Sequence, residues 1–138
     1  MILIIGCGRL GASLANRLSG AGYEVVVVDH LRENFQNNLP RDFQGKTIIG
    51  MEIDSNVLKR AGITRASAVV CVSRDENTNM MAADVARLQF GVENVTVRID
   101  QPQLVEAYRA NGYSVISPVI EATNALEMAL RSQKGEVL

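Results

Sequence analysis

Gly6-Cys7-Gly8-Arg9-Leu10-Gly11 fits the pattern G-x-G-x-x-G, and each glycine has its own task. Gly6 permits a tight turn, Gly8 lets a pyrophosphate come against the backbone, and Gly11 lets a helix lie close on the strand before it. The pattern alone is weak, because glycines recur by chance. Here the apolar run Ile2–Ile5 precedes it, and a helical pattern with Leu10, Leu14 and Leu18 on one face follows. The start of such a helix offers unpaired amides and partial positive charge to an anion.

Asp29 closes the run Val25-Val26-Val27-Val28, one strand further on. A carboxylate there accepts ribose hydroxyls and repels a 2′-phosphate, which favours NAD(H), ATP or ADP over NADP(H). A plainer role for Asp29, capping the helix that follows, stays open. On the ribose reading, Asp29→Ala weakens nucleotide binding and leaves folding almost unchanged. His30, the only histidine, belongs at the ribose end, away from any nicotinamide ring. Neither a general base nor a Ser-His-Asp relay is expected from it, and no catalytic residue is assigned. Cys7 and Cys71 each lie beside an apolar run and read as small core residues of a reducing compartment. No metal site is expected from so few ligands.

These residues need a scaffold, and the hydropathy pattern supplies one. Short apolar runs lie at Ile2–Ile5, Glu24–Val28, Thr47–Ile49, Ala68–Val72, Val95–Ile99 and Ser114–Ile116; most are rich in Val and Ile and few show strict alternation, as suits strands covered on both faces. Helical stretches separate them. Gly20 and Gly22 stop the first. The stretch 33–45 reads as a short helix and a loop. Asp54 or Ser55 caps a helix carrying Val57, Leu58 and Ala61, and Gly62 ends it. Thr78 or Asn79 caps the next, with Met81, Val85 and Leu88 on its buried side. Gln103 to Ala110 follows Pro102, and Pro118 opens a last helix over about 118–132. The expected fold is a single Rossmann-like domain over 1–138: a doubly wound parallel sheet of about six strands with helices on both faces.

Composition narrows the function. With 14 basic and 15 acidic residues intermixed and a net charge of −1, there is no basic patch to neutralise a nucleic-acid backbone. Aromatic residues make up 4% of the chain and Trp is absent, so an aromatic platform for bases is not available. No apolar stretch reaches the length of a membrane span, and direct membrane insertion is not expected.

Taken together, the glycine loop, Val28-Asp29, Gly50, Val57-Leu58 with Ala61-Gly62-Ile63, Ser73-Arg74-Asp75-Glu76-Asn77-Thr78-Asn79, Arg98 and Ser117-Pro118 carry a resemblance that covers nearly the whole chain. It resembles the N-terminal RCK family, also called KTN or TrkA-N, of Trk and Ktr potassium uptake systems and ligand-gated potassium channels. The resemblance implies that Gly8, Arg9 and Leu10 line the phosphates and Asp29 the ribose. It puts Met51 and Glu52 beside the adenine, Ser73 and Arg74 at the mouth of the cleft, Asn79 beneath it, and Arg98 against the phosphates. One departure stands out: Gly50-Met51-Glu52 occupies a place where the family has Gly-Asp and a small residue. The choice among NAD, ATP and ADP stays open for that reason.

The same resemblance implies a cytoplasmic regulator at the inner face of the membrane, held there by a potassium transporter or channel subunit. It also implies a homodimer, with larger rings built from dimers, through the last helix. Val119, Ile120, Ala122, Ala125, Leu126, Met128, Ala129 and Leu130 spread over more of that helix than one sheet requires. Many relatives carry a further domain after it, so Leu138 ends either a one-domain regulator or a portion of something longer. Two other readings compete: a small NAD-dependent oxidoreductase, or the cofactor half of one, and a structural remnant kept for oligomerisation.

Overall fold

The computed structural model describes residues 1–138. Its strands are β1 (Ile2–Ile5), β2 (Val25–Asp29), β3 (Lys46–Ile49), β4 (Ala68–Cys71), β5 (Val95–Arg98) and β6 (Ser114–Ile116). Its helices are α1 (Arg9–Gly20), α2 (Arg32–Asn38), α3 (Ser55–Arg60), α4 (Glu76–Asp84), α5 (Pro102–Ala110) and α6 (Pro118–Arg131). All strand pairs are parallel and the order is β3-β2-β1-β4-β5-β6. The chain starts in the middle, winds outward through β2 and β3, then returns to β4 and winds the other way. The point of reversal lies between β1 and β4, where such sheets open a crevice beyond the carboxyl ends of the strands.

Central strands are buried on both faces, as their unbroken Val and Ile content requires: every residue of β2 is buried. One core gathers Leu3, Ile5, Val26, Val28, Val69 and Val97 with residues of α3, α4 and α5. The other gathers Ile4, Val25, Val27 and Val72 with Ala12 and Ala15 of α1. Cys7 and Cys71 are both buried and free. Burial, with the Asp29 charge adding to it, pushes the Cys7 thiol up to about 12, so it stays protonated.

The leucine face of α1 is not its most buried face, and the buried side read for α4 needs correction, for one reason. In α1 the buried face is Gly11, Ala12 and Ala15; Leu14 and Leu18 are half-buried on its flank, and Leu10 is exposed. In α4 the buried residues are Asn79, Ala82 and Ala83, followed by Ala86, while Met81 and Leu88 are 52% and 79% exposed. Both helices lie close on the sheet, and only small side chains fit in the gap; the larger apolar residues are turned aside. The cap of α4 is also earlier than expected. Asp75 accepts from the Asn77 amide at 3.1 Å, so Thr78 and Asn79 lie inside the helix. Asp54 caps α3 as expected, taking the Asn56 amide at 2.8 Å.

At the far end, Ser117 caps α6 and donates its hydroxyl to Asp100 at 3.0 Å. No residue of α6 is buried. No helix is long and apolar enough to cross a membrane.

Candidate functional site

The crevice between the two halves of the sheet has a volume of about 430 Å³, within the range of small-molecule sites. Its rim starts at the glycine loop. Gly6 has φ +107°, and a Cβ on it would sit 2.5 Å from the Ser73 amide nitrogen, so the loops after β1 and β4 touch there. A Cβ on Gly11 would overlap the Gly6 carbonyl oxygen. Gly8 is different: a Cβ there would meet nothing within 4 Å, so its backbone faces open space.

Gly8 is also the N-cap of α1, and as a glycine it has no side chain with which to cap the helix. The first bond inside the helix runs from the Ala12 amide to the Gly8 carbonyl at 2.9 Å. The amides of Gly8, Arg9, Leu10 and Gly11 donate to no acceptor in the protein. Helix starts normally have side chains or water on such donors. Such free donors can take an anion, and Arg9 and Arg74 line the same cleft, neither of them in an ion pair.

Asp29, 3% exposed, sits at the end of β2. Its Oδ2 accepts from the Cys7 amide at 2.8 Å, tying the glycine loop to the neighbouring strand. Its Oδ1 accepts from the Leu31 amide at 2.8 Å and from the Asn34 side chain at 3.0 Å. Asp29 is therefore a structural residue as well as a cleft residue. The substitution would leave the buried Cys7 amide without its acceptor, so Asp29→Ala is expected to cost stability, contrary to the expectation that it spares the fold.

Beyond it, the Glu52 carboxylate is buried although His30, its partner, is half exposed. Glu52 Oε1 accepts from the His30 amide at 3.2 Å and meets the ring Nδ1 at 2.7 Å. That hydrogen bond to Glu52 holds the His30 pKa above its ordinary value, against the opposing pull of desolvation. On the β4 side, Asn79 has no exposed surface and uses its amide fully. Its oxygen takes the Ser73 amide and hydroxyl, both at 2.8 Å, and its nitrogen reaches the carbonyls of Ser73 at 2.8 Å and Arg98 at 3.2 Å.

Of the residues singled out from sequence, the cleft brings together Gly8, Arg9, Asp29, His30, Glu52, Ser73 and Arg74. Gly6 and Gly11 lie beneath its loop and Asn79 beneath its far wall. Leu10 and Met51, 38% and 55% exposed, stand outside the lining. So does Arg98, whose Nε lies 4.0 Å from Asp100 Oδ2, two residues along. Sequence reasoning missed Asn34, Asn37 and Asn38 of α2, which line the cleft; Asn38 also donates to the Cys7 carbonyl at 2.9 Å. The signal was present, since asparagines at 34, 37 and 38 share one helical face directly after the acid.

Residues 2–118 match the family model of the TrkA-N domain. The chain belongs to the TrkA-N domain family. It is 41% identical over 118 residues to the Trk system potassium uptake protein TrkA of Streptomyces coelicolor, covering 86% of this chain and 52% of that protein. It thus spans about half the length of that relative. Among solved structures, the TrkA-N domain of the inner membrane protein ybaL from Escherichia coli superposes with a TM-score of 0.80 at 17% identity, covering 94% of this chain and 95% of that one. The GsuK channel bound to NAD superposes with a TM-score of 0.76 at 24% identity, covering 91% of this chain and 22% of that one. Another structure holds GsuK bound to ADP, with the same TM-score and identity and with 32% of that chain covered. These likenesses show a Rossmann-like TrkA-N fold.

Proposed function

We propose that the cleft binds NAD(H) or an adenine nucleotide, and that the bound nucleotide regulates potassium transport by a membrane partner without being consumed. The observation that carries this reading is the uncapped start of α1. Of the four adjacent unpartnered amides at residues 8–11, those of Gly8 and Arg9 belong to the cleft lining, which also holds the Arg9 and Arg74 side chains, Asp29 and Glu52. Arg9 beside the glycine loop and Arg74 with Asp75 after β4, together with the Asp29 and Glu52 carboxylates after β2 and β3, suit a molecule that carries both phosphates and a ribose. A 2′-phosphate would be set against the carboxylates, so NADP(H) is disfavoured.

The TrkA relative supports the potassium assignment, and GsuK bound to NAD and to ADP supports the ligand class. Against turnover, the only histidine is paired with Glu52 at the acid end. Regulation also needs a second copy or a partner to read the bound state. The exposed apolar residues of α6, Leu126 and Met128 among them, are the surface for a homodimer, and rings would assemble from such dimers. The protein would then lie in the cytoplasm against a membrane transporter or channel subunit.

Calorimetry with NADH, NAD, ATP, ADP and NADPH tests the reading. We expect binding tighter than millimolar for the first four and weaker binding of NADPH. Absence of binding by all five would discard the nucleotide reading. Consumption of NADH with a carbonyl substrate would replace the regulator with an oxidoreductase.

A further inference from the structure

At the acid end of the cleft two carboxylates, those of Asp29 and Glu52, lie side by side with different numbers of free acceptor positions. A carboxylate has about four lone-pair positions. Asp29 already receives three protein N–H groups, two on Oδ1 and one on Oδ2. About one position remains, which is short of what two ribose hydroxyls need. The neighbouring carboxylate is only half used. Both bonds to Glu52 fall on Oε1. Its side chain is 4% exposed, yet no buried side-chain oxygen in the molecule lacks a partner, so Oε2 retains access to the cleft that Glu52 lines. Donor atoms of Asp29, His30 and Glu52 all lie within 4.8 Å of one another, so one ribose is in reach of both acids.

We infer that Glu52 is a specificity-determining residue: its Oε2 accepts one hydroxyl of the ribose cis-diol while the remaining position on Asp29 accepts the other. This rests on the nucleotide reading above. His30 is the positioning residue, because its amide and ring nitrogen anchor Oε1 and leave Oε2 directed at the ligand. In Glu52→Gln the His30 amide still claims the side-chain oxygen, so the amide nitrogen takes the place of Oε2. An acceptor becomes a donor, and a charge-assisted bond is lost.

The test is calorimetry of the wild type and Glu52→Gln with ATP, 2′-deoxy-ATP, 3′-deoxy-ATP and inosine triphosphate. In the wild type, removal of either hydroxyl is expected to weaken binding on the order of tenfold, the loss of one hydrogen bond to a charged group. Glu52→Gln should weaken ATP by a similar factor and leave one of the two deoxy analogues unaffected, which identifies the hydroxyl that Glu52 holds. An equal loss for ATP and both deoxy analogues would overturn the assignment, as would no loss at all. A loss that disappears with inosine triphosphate would also overturn it, by placing Glu52 at the adenine amino group. If Glu52→Gln does not fold, the wild type decides alone. Asp29 acting by itself predicts that only one of the two hydroxyls matters. Wild type that binds none of the four ligands would remove the nucleotide reading as well, whereas binding indifferent to Glu52 removes only this inference.

Discussion

Along the cleft, Asp29, Glu52 and Asn79 are buried, and each is held by two or more hydrogen bonds. Along α6 the situation is reversed: Leu126 and Met128 are 66% and 71% exposed, and no residue of the helix is buried. Polar groups were taken inside where they organise the walls of the cleft. Apolar groups were left outside, where nothing within the chain covers them. The first region spends polar burial on shape within one molecule. The second is a surface whose apolar content gives no return until another molecule covers it. Substitutions in the two regions should therefore differ in what they change, stability and binding in one and association in the other.

The largest effect is expected from Gly11→Ala. Its new Cβ overlaps backbone, the Gly6 carbonyl, and not a flexible side chain. We expect a loss of about 3 kcal/mol or more in chemical denaturation, together with loss of nucleotide binding. Stability within error of the wild type would show that the loop yields easily. Next comes Asn79→Ala, which empties a fully buried position and leaves the part-buried Ser73 amide without its acceptor. A cost of about 2 kcal/mol is expected, with weaker binding because the β4 side of the cleft loosens. Asp29→Ala falls in the same range, and its double effect separates it from a residue that touches ligand only.

The fold was legible in sequence because burial on both faces leaves an unbroken Val and Ile signature, and strand ends agree to within a residue. β2, for example, was read as Glu24–Val28 and lies at Val25–Asp29. The helix faces were less legible. A leucine repeat in α1 and the Met81, Val85, Leu88 set in α4 have helical spacing, but spacing does not say how closely a helix approaches the sheet. Ala12, Ala15, Ala82 and Ala83 carried that information and were passed over. At the site, motif and order were readable in Gly8, Arg9 and Asp29. The count of bonds on Asp29 was not, because its partners Cys7, Leu31 and Asn34 come together only in three dimensions.

A smaller effect concerns the His30–Glu52 pair. Its hydrogen bond raises the folded-state pKa of His30 above the ordinary 6.5. The charged ring is thus favoured in the folded state. That contribution is fully present below the ordinary value and is lost as pH rises through the raised one. Because His30 is the only histidine, its ring signals in an NMR titration need no assignment. A midpoint at or below 6.5 would contradict the pairing, and in Glu52→Gln the midpoint should fall. The gain in stability is small, since the ring is half exposed and screened.

The smallest change in stability is expected on α6. Leu126→Lys with Met128→Lys should move the unfolding free energy by no more than about 0.5 kcal/mol each. Sedimentation should nonetheless register a shift from dimer to monomer. Dimers that persist in the double variant would move the association surface elsewhere, and a large loss of stability would mean that the helix packs on its own domain.

The bond from the Cys7 amide to Asp29 has a kinetic corollary. It ties the glycine loop to β2 in the absence of any ligand, so on the proposed function this loop need not order itself around the incoming nucleotide. If that loop is the phosphate site, different nucleotides should associate at similar rates, and differences in affinity should come from how fast each one leaves.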